Sequence, residues 1–295
     1  MLKVTEITFP GIFPSLNLWV DSVAFTLFGH SFPWYSLIIT TGIILCFIYV
    51  TYYAKRIGIS SDNVIDIGLL TVVMGIIGAR MYYVLTSWSH YRGNFWDVFK
   101  IWEGGLGIYG GLIAGGLGVF IMCRTLKIRF LPFADCVGPS LLLAQSLGRW
   151  GNFFNAEAYG SETTIFCRMG LSKFPYTETI YVHPTFLYES LWNIIGFVIA
   201  NYLYRKKRLY DGFIVQFVFA WYGFGRMFIE LLRSDSLYIC SYHAWFTKIS
   251  VLVGFGFFVG CTAWIIYNII SMKKGKQLPL TPLVSANDGE TTPEE

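Results

Sequence analysis

Long apolar runs that end at basic residues constrain the fold of this chain more than any other feature. Only 14% of the 295 residues are charged, whereas a soluble domain carries roughly 25%. A helix that crosses a bilayer needs about 20 apolar residues, and seven runs approach that length: 34–54, 64–86, 104–123, 133–149, 184–204, 212–230 and 246–271. The sequence therefore predicts an all-α integral membrane protein whose seven-helix bundle occupies residues 34–272.

The basic residues between these runs predict how the bundle is oriented. Twelve of the 22 lysines and arginines fall in alternate connections or the tail: Lys55, Arg56, Arg124, Lys127, Arg129, Arg205, Lys206, Lys207, Arg208, Lys273, Lys274 and Lys276. Lysine and arginine are retained on the cytoplasmic side of a membrane. We therefore expect the N-terminus outside and the C-terminus in the cytoplasm, which suits an odd number of spans.

Three segments lie outside the predicted spans. Residues 1–33 are expected to form an N-terminal interfacial segment, in which 10–33 make a helix along the bilayer surface. The outer loop, 150–183, is expected to form a small cap. The polar residues 273–295 are expected to be a disordered cytoplasmic tail, and no cleavable signal peptide is expected at the N-terminus because the first nine residues lack an apolar core.

The six cysteines lack the spacing of metal ligands, and buried packing thiols are the favoured interpretation. Cys167 and Cys240 both fall in loops, and the sequence leaves open whether they form a disulfide.

The segment 104–118 contains eight glycines. Small residues allow a second helix to approach closely, so we expect Gly111, Gly115 and Gly118 to serve helix packing. The pair Gly104-Gly105 favours a bent entry, where backbone can line a cavity. No Lys-Ser/Thr follows these glycines and no strand is predicted before them, which argues against a nucleotide loop.

The predicted orientation collects polar side chains from six segments in the outer third of the membrane. They are Tyr35, Arg80, Tyr109, Arg149, Asn152, Asn155, Glu157, His183, Glu189, Arg226, Glu230 and Arg233. Burying such groups is costly unless they pair with one another or bind something. Polar residues used only for helix packing or loop capping would not sort to one leaflet, so the sequence predicts a binding site there.

Two arginines are the favoured ligands at this site. A guanidinium binds phosphate oxygens in pairs and stays charged in an apolar pocket, so Arg149 and Arg226 are expected to clamp a phosphate. Within the outer leaflet, the most economical anion is a phospholipid head group. An alternative for Arg226, Glu230 and Arg233 is an internal ladder of charges on one helical face, given their spacing of four and three residues. Small residues in 222–225 are expected to open room beside Arg226.

These motifs resemble those of the prolipoprotein diacylglyceryl transferase family. The likeness is carried by residues 148–160, Gly-Arg-Trp-Gly-Asn-Phe-Phe-Asn-Ala-Glu-Ala-Tyr-Gly, by Gly78-Ala79-Arg80-Met81-Tyr82-Tyr83, by 104–116, by His183-Pro184-Thr185-Phe186-Leu187-Tyr188-Glu189, and by Tyr222–Arg226 with Glu230 and Arg233. It covers about 34–271 in order, and the first motif is long and unusual.

The resemblance implies a bacterial plasma-membrane enzyme with its active site toward the outer leaflet. Such an enzyme transfers the diacylglyceryl group of phosphatidylglycerol to the thiol of a lipobox cysteine in the signal peptide of a prolipoprotein and releases glycerol phosphate, the first step of lipoprotein maturation. No metal, organic cofactor or nucleic acid is implied.

The resemblance also assigns roles to the polar residues. Arg149, Arg226 and Tyr109 are expected to be catalytic, and Glu157 and Glu189 are expected to orient the arginines. Ten residues of these motifs are expected to bind the substrates: Tyr35, Arg80, Asn152, Asn155, Glu157, Gly160, His183, Glu189, Glu230 and Arg233.

Tyr109 departs from the family pattern, in which histidine is common at this position and is a candidate base. A tyrosine hydroxyl, with a pKa of about 10, is a poor base at neutral pH. Either Tyr109 only hydrogen-bonds the lipid or the base lies elsewhere. His183 is the only histidine in the matched core, but Pro184 suggests that it starts a helix, so the base stays unassigned.

Two other functions compete with transfer. Buried charges also mark the permeation path of a transporter or channel, although no ring of charges in the inner half and no inverted repeat is detected. A non-catalytic lipid-binding assembly factor would use the same arginines. Joining of a phospholipid label to a lipobox peptide distinguishes an enzyme from both.

Overall fold

A computed structural model describes residues 4–91, 93, 95–173, 178–233 and 248–283. The chain divides into two compact units. Unit 1 contains the residues up to Cys46 and those from Val137 to Leu280, and unit 2 contains the residues from Phe47 to Cys136 and those from Thr281 onward.

The described residues form eight helices. These are α1 Trp34–Lys55, α2 Ser61–Thr86, the short α3 Trp88–Tyr91, α4 Ile108–Thr125, α5 Phe130–Phe154, α6 Thr185–Lys206, α7 Phe213–Leu232 and α8 Ile249–Lys273. Each of the seven predicted membrane runs therefore coincides with a helix over most of its described length, although the helix in 104–123 begins only at Ile108. Two short 3-10 turns, Phe95–Phe99 and Ile101–Glu103, lie between α3 and α4.

Six of these helices, α1, α2, α4, α5, α7 and α8, are long and apolar enough to cross a membrane. The remaining predicted span, 184–204, corresponds to α6, which has 22 residues but carries Glu189, Asn193 and Asn201. The chain is thus a helical multi-pass membrane protein. The seventh crossing and the orientation of the termini stay predictions.

The N-terminal residues form strands, so the predicted interfacial helix over 10–33 is wrong. β1 (Val4–Phe9) pairs antiparallel with β2 (Phe13–Asp21) and also with β5 (Met169–Lys173), which pairs with β6 (Ile180–Val182). The sheet order is β2-β1-β5-β6. A strand needs neighbouring strands to hydrogen-bond its backbone N–H and C=O groups. One of the two neighbours of β1 is β5, which lies more than 160 residues later in the chain.

The sheet packs on the end of the helical bundle within unit 1. Its inner face contributes Ile7, Leu171 and Val182, which join Phe153 of α5 and Phe186 of α6 in one buried cluster. The sheet therefore combines the N-terminal segment with the loop after α5, and its role as an outer cap stays a prediction.

A second, two-stranded sheet precedes α1. β3 (Val23–Leu27) pairs antiparallel with β4 (His30–Pro33), and the turn between them holds Phe28 and Gly29 at φ 51° and 80°. We name residues 23–33 the aromatic hairpin.

Helix α5 continues five residues beyond its predicted end at 149, to Phe154. The ring of Trp150 lies 5.5 Å and that of Phe153 5.0 Å from Phe186, so the added turn buries aromatic surface. Ala156 and Ala158 then take left-handed conformations, with φ 47° and 55°, and turn the chain away from the helix. Arg149 consequently lies within the helix rather than at its end.

In unit 2, glycines bring α2 and α4 together as predicted. A Cβ added to Gly78 would lie 2.6 Å from the Gly110 carbonyl oxygen, and one on Gly115 would touch Thr71 at 3.6 Å. Gly104 and Gly105 have φ of 89° and 73°, which confirms the predicted bend before α4.

The predicted disorder of the tail does not extend to Pro279, whose carbonyl accepts the Asp211 N–H at 2.9 Å. Residues 284–295 lie outside the described residues.

Candidate active site

Two arginines on separate helices of unit 1 bind the same carboxylate. Nη2 of Arg149, on α5, lies 2.6 Å from Oε1 of Glu189, and Nη1 of Arg226, on α7, lies 3.0 Å from Oε2. Glu189, on α6, is 3% exposed. Burying this carboxylate would be costly without partners, and the two guanidinium groups provide them. The three helices thereby bring both predicted catalytic arginines to one point.

Arg226 binds a second buried carboxylate on its own helix. Its Nη2 lies 2.7 Å from Oε2 of Glu230, four residues later, and Glu230 is 2% exposed. Helix α7 ends at Leu232, and Arg233 takes an extended backbone with φ −81° and ψ 137°, so its place in the predicted ladder stays a prediction. Arg226 and Glu230 share a helical face, and Arg233 lies beyond it.

Amide side chains extend the cluster from Arg149 toward the protein surface. Arg149 donates from Nη1 to Oδ1 of Asn152 at 3.2 Å. Asn152 and Asn155 both donate through Nδ2 to Oε1 of Glu157, at 3.1 and 3.0 Å. Glu157 is exposed. The left-handed turn after α5 thus folds Glu157 back over the two asparagines, and seven of the predicted site residues form one continuous network.

The exposure of the two guanidinium groups gives the cluster a closed side and an open side. Arg149 is 22% exposed and Arg226 12%, whereas Glu189 is 4% exposed in its side chain. A guanidinium carries five N–H donors, and within the described residues Arg149 uses one for Asn152 and one for Glu189. The guanidinium of Arg149 is therefore partly open to solvent and has N–H groups beyond those that bind Asn152 and Glu189.

Two tryptophans align α6 with α7 below the charged cluster. Nε1 of Trp192 donates to the Trp221 carbonyl and Nε1 of Trp221 donates to the Trp192 carbonyl, both at 3.0 Å, and the rings stack at 4.2 Å. A Cβ on Gly225 would lie 2.4 Å from Cδ1 of Trp192. The indole of Trp192 therefore fills the expected room beside Arg226 on the Gly225 side. This packing holds α6 against α7, with Glu189 opposite Arg226.

Backbone hydrogen bonds tie together the segments that carry the site. The Gly160 N–H donates to the His183 carbonyl at 2.9 Å, and the Ser161 N–H donates to the Leu232 carbonyl at 2.7 Å. A Cβ on Gly160 would lie 2.7 Å from that of His183 and 2.8 Å from the Leu232 oxygen. Close packing accounts for glycine at 160, and its predicted contact with substrate stays a prediction.

Lys248 is a buried residue of the site region that the sequence did not single out. It is 6% exposed, and Nζ donates to the carbonyls of Glu230 at 2.7 Å and Arg233 at 3.0 Å. A cation is stabilising at the C-terminal end of a helix. The ammonium caps α7 just beyond Glu230. Lys248 lies at the start of an apolar run, and nothing in the sequence there predicts a contact with the end of α7.

His183 lies beside a tyrosine and a cysteine. Nδ1 of His183 is 3.5 Å from the Tyr188 hydroxyl, which is 3.2 Å from Sγ of Cys167. Helix α6 begins two residues later, at Thr185, as expected from Pro184. Cys167 is a free thiol, and Cys240 lies outside the described residues.

Tyr35 lies at the start of α1, next to the extended end of α5. A Cβ on Gly151 would lie 2.6 Å from Cδ2 of Tyr35, and the neighbouring Trp34 stacks on Phe154 at 4.9 Å. Tyr35 is 40% exposed. The ring is therefore close to the motif residues of α5 in the folded unit.

Arg80 and Tyr109 belong to unit 2. Arg80 is 7% exposed and donates to four backbone carbonyls, those of Val98 at 2.8 Å, Gly104 at 2.6 Å, Gly105 at 3.1 Å and Asp97 at 2.6 Å. The guanidinium thus organises the segment before α4. The ring of Tyr109 lies 6.3 Å from that of Tyr82. The predicted contacts of Arg80 and Tyr109 with substrate stay predictions.

Comparison with known proteins matches residues 22–267 to the family model described as prolipoprotein diacylglyceryl transferase. Three curated relatives bear the name phosphatidylglycerol–prolipoprotein diacylglyceryl transferase. The one from Streptococcus equi subsp. equi is 43% identical over 225 residues, 74% of this chain and 85% of the relative. The one from Streptococcus pneumoniae (strain JJA) is 42% identical over 248 residues, 81% and 93% of the two chains. The one from Streptococcus sanguinis is 40% identical over 248 residues, 81% and 95%.

Proposed function

The chain belongs to the prolipoprotein diacylglyceryl transferase family, and we propose that Arg149 and Arg226 perform its reaction by gripping the phosphate of the lipid donor. The protein transfers a diacylglyceryl group from phosphatidylglycerol to a prolipoprotein. The observation that supports the proposed site is that both guanidinium groups, from separate helices, converge on Glu189 inside the motifs that carry the resemblance.

The charges of the cluster suit a lipid phosphate that enters from the open side. Glu189 and Glu230 hold the arginines from within the protein, so the guanidinium groups keep their orientation before a substrate arrives. Preorganised donors of this kind stabilise charge that develops in a transition state more effectively than mobile ones. Asn152 and Asn155 offer neutral hydrogen bonds to the same head group.

In the transfer step, the substrate thiolate attacks the glyceryl carbon that bears the phosphodiester. A C–S bond forms as the C–O bond to phosphate breaks, and glycerol phosphate leaves with the electron pair and one additional negative charge on its phosphate. The thiol proton passes to a base. The two guanidinium groups stabilise the phosphate charge, and their positive field also favours the thiolate over the thiol, whose ordinary pKa is about 8.5.

Tyr109 is not proposed as the base, because a neutral phenol is a poor proton acceptor at neutral pH. Tyr109 and Arg80 are proposed to contact the substrates. The acceptor is proposed to be the lipobox cysteine of a prolipoprotein signal peptide.

The proposed location is the bacterial plasma membrane, with seven crossings, the N-terminus outside and the charged cluster toward the outer leaflet. The distribution of Lys and Arg between alternate connections supports this orientation.

The decisive experiment supplies the purified protein, in vesicles, with radiolabelled phosphatidylglycerol and a lipobox peptide. We expect label on the peptide, a thioether-linked product by mass spectrometry and release of glycerol phosphate. A peptide with serine in place of the cysteine, and vesicles of phosphatidylethanolamine alone, are the matched controls. Lipid binding without a labelled peptide would indicate an assembly factor, and uptake of solute independent of phosphatidylglycerol would indicate a transporter.

A further inference from the structure

We propose that the aromatic hairpin, residues 23–33, is a membrane anchor whose apolar face and tip insert into the lipid leaflet beside the start of α1. This interaction is separate from the transfer reaction, and it concerns a surface that the chemistry does not use.

The register of the hairpin gives it two chemically different faces. Phe25 pairs with Phe32, and Leu27 pairs with His30; their side chains share one face, because cross-strand partners point to the same side of a sheet. The rings of Phe25 and Phe32 stack at 4.9 Å. Thr26 pairs with Ser31, and this pair lies on the opposite face, because successive side chains alternate along a strand. The hairpin is thus amphipathic.

The apolar face and the tip are uncovered within the described part of the chain. Phe25 is 48%, Leu27 50% and Phe32 38% exposed, and Phe28 at the tip is 92% exposed. Phe28 also takes a φ of 51°, which is unusual for a bulky residue. A two-residue hairpin turn accounts for this conformation, but packing against the described protein does not explain an aromatic side chain at this position.

The position of the hairpin along the chain identifies lipid as the occupant. β4 ends at Pro33 and α1, a candidate membrane span, begins at Trp34. The Trp34 N–H donates to the Ser22 carbonyl at 3.0 Å, which closes the base of the hairpin on the start of the span. Tryptophan is enriched at the boundary between membrane and water, and Trp34 is 38% exposed.

The reach and the composition of the hairpin agree with insertion at the interface. A strand rises about 3.3 Å per residue, so a five-residue strand keeps the tip within about 17 Å of the span. Residues 23–33 contain no Asp, Glu, Lys or Arg, and insertion therefore buries no carboxylate, ammonium or guanidinium group. A two-stranded hairpin alone is only marginally stable in water, whereas a lipid surface would cover its apolar face.

Insertion would fix the depth of the charged cluster. Trp34 stacks on Phe154 at the end of α5, the helix that carries Arg149. An anchored hairpin would therefore hold this end of α5 at the level of the lipid head groups.

The test places a fluorine probe at one position at a time in the full-length protein. Trifluoromethyl-phenylalanine is incorporated at 28, on the tip, or at 26, on the polar face, and the protein is reconstituted in nanodiscs of phosphatidylglycerol and phosphatidylcholine. Oxygen, which partitions into lipid, and a nickel chelate, which stays in water, are compared as relaxation agents. We expect the ratio of oxygen to nickel relaxation to be several-fold higher at 28 than at 26.

Two results would overturn the proposal. Equal ratios at the two positions would place the tip in water, and protection of position 28 from both agents would place it against protein. As a second readout, Phe25→Asp is expected to lower the ratio at position 28, whereas Thr26→Asp on the opposite face is expected to leave it unchanged. The probe in the otherwise unaltered chain decides the question even if Phe25→Asp fails to fold.

Discussion

Arg149 and Arg226, on α5 and α7, are joined through opposite oxygens of one buried carboxylate, at 2.6 and 3.0 Å. Without Glu189, the two positively charged guanidinium groups would repel each other. The carboxylate therefore makes a paired guanidinium site compatible with a stable helix bundle.

Replacing Glu189 by glutamine is expected to destabilise the protein. The substitution keeps the shape but leaves two guanidinium groups without their shared counter-charge, and breaking a buried ion pair costs about 3–5 kcal/mol. Partial exposure of both arginines places the expected loss of unfolding free energy at the lower end of that range. Thermal unfolding in detergent measures it. Glu162→Gln, on an exposed residue, is the control; equal stability of the two variants would contradict the prediction.

Arg226→Lys and Arg149→Lys are each expected to lower the transfer rate roughly 100- to 1,000-fold, because lysine keeps the charge but loses the paired donors that hold a phosphate. The loss should appear in kcat more than in KM, since the arginines stabilise charge that develops during reaction. Arg124→Lys, at an exposed arginine of α4, is expected to retain activity. Near-normal lipidation by either site variant would remove that arginine from the proposed mechanism.

Tyr109→Phe is expected to leave the shape of the pH–rate profile unchanged, because the phenol is not the proposed base. A modest rise in KM would follow from a lost hydrogen bond to the lipid. Initial rates across a pH series, measured at saturating and limiting phosphatidylglycerol, separate these effects. If the variant lost the change in rate that the unaltered protein shows at alkaline pH, proton transfer would be assigned to the Tyr109 hydroxyl instead.

Gly78→Ala is expected to destabilise unit 2 by about 1–3 kcal/mol, a typical cost of overpacking. The added methyl would lie 2.6 Å from the Gly110 carbonyl, which belongs to the backbone of α4 and cannot rotate away. Gly116→Ala is a matched control on the same pair of helices, because nothing lies within 4 Å of its added Cβ. It should be neutral or slightly stabilising, since alanine favours a helix more than glycine. Equal unfolding temperatures would show that α2 and α4 separate readily.

Lys248→Met is expected to cost about 1–3 kcal/mol, because it removes charged hydrogen bonds from the carbonyls of Glu230 and Arg233. Fraying of this end of α7 should also disturb the pairing of Arg226 with Glu230 and reduce transfer. Lys273→Met, at the exposed end of α8, tests the general effect of losing a lysine. Unchanged stability and transfer in Lys248→Met would show that the cap is dispensable.

The helices could be predicted from sequence because the bilayer imposes a local requirement: a span must be apolar over about 20 residues. The N-terminal strands could not, because β1 completes its pairing with β5, about 165 residues later in the chain. An aromatic, proline-broken segment suits an interfacial helix as well as a hairpin until that partner is known.

The sequence by itself determined the membrane class, the helical runs and the arginines that need partners, since burial of an arginine in an apolar run is costly wherever it occurs. Only the tertiary structure decided which carboxylates neutralise which arginines. It joined Arg149 and Arg226 through Glu189, set Arg80 among backbone carbonyls and used Lys248 as a helix cap. Ion pairs form across distances of about 3 Å between groups that are far apart in sequence, and neither periodicity nor composition records them.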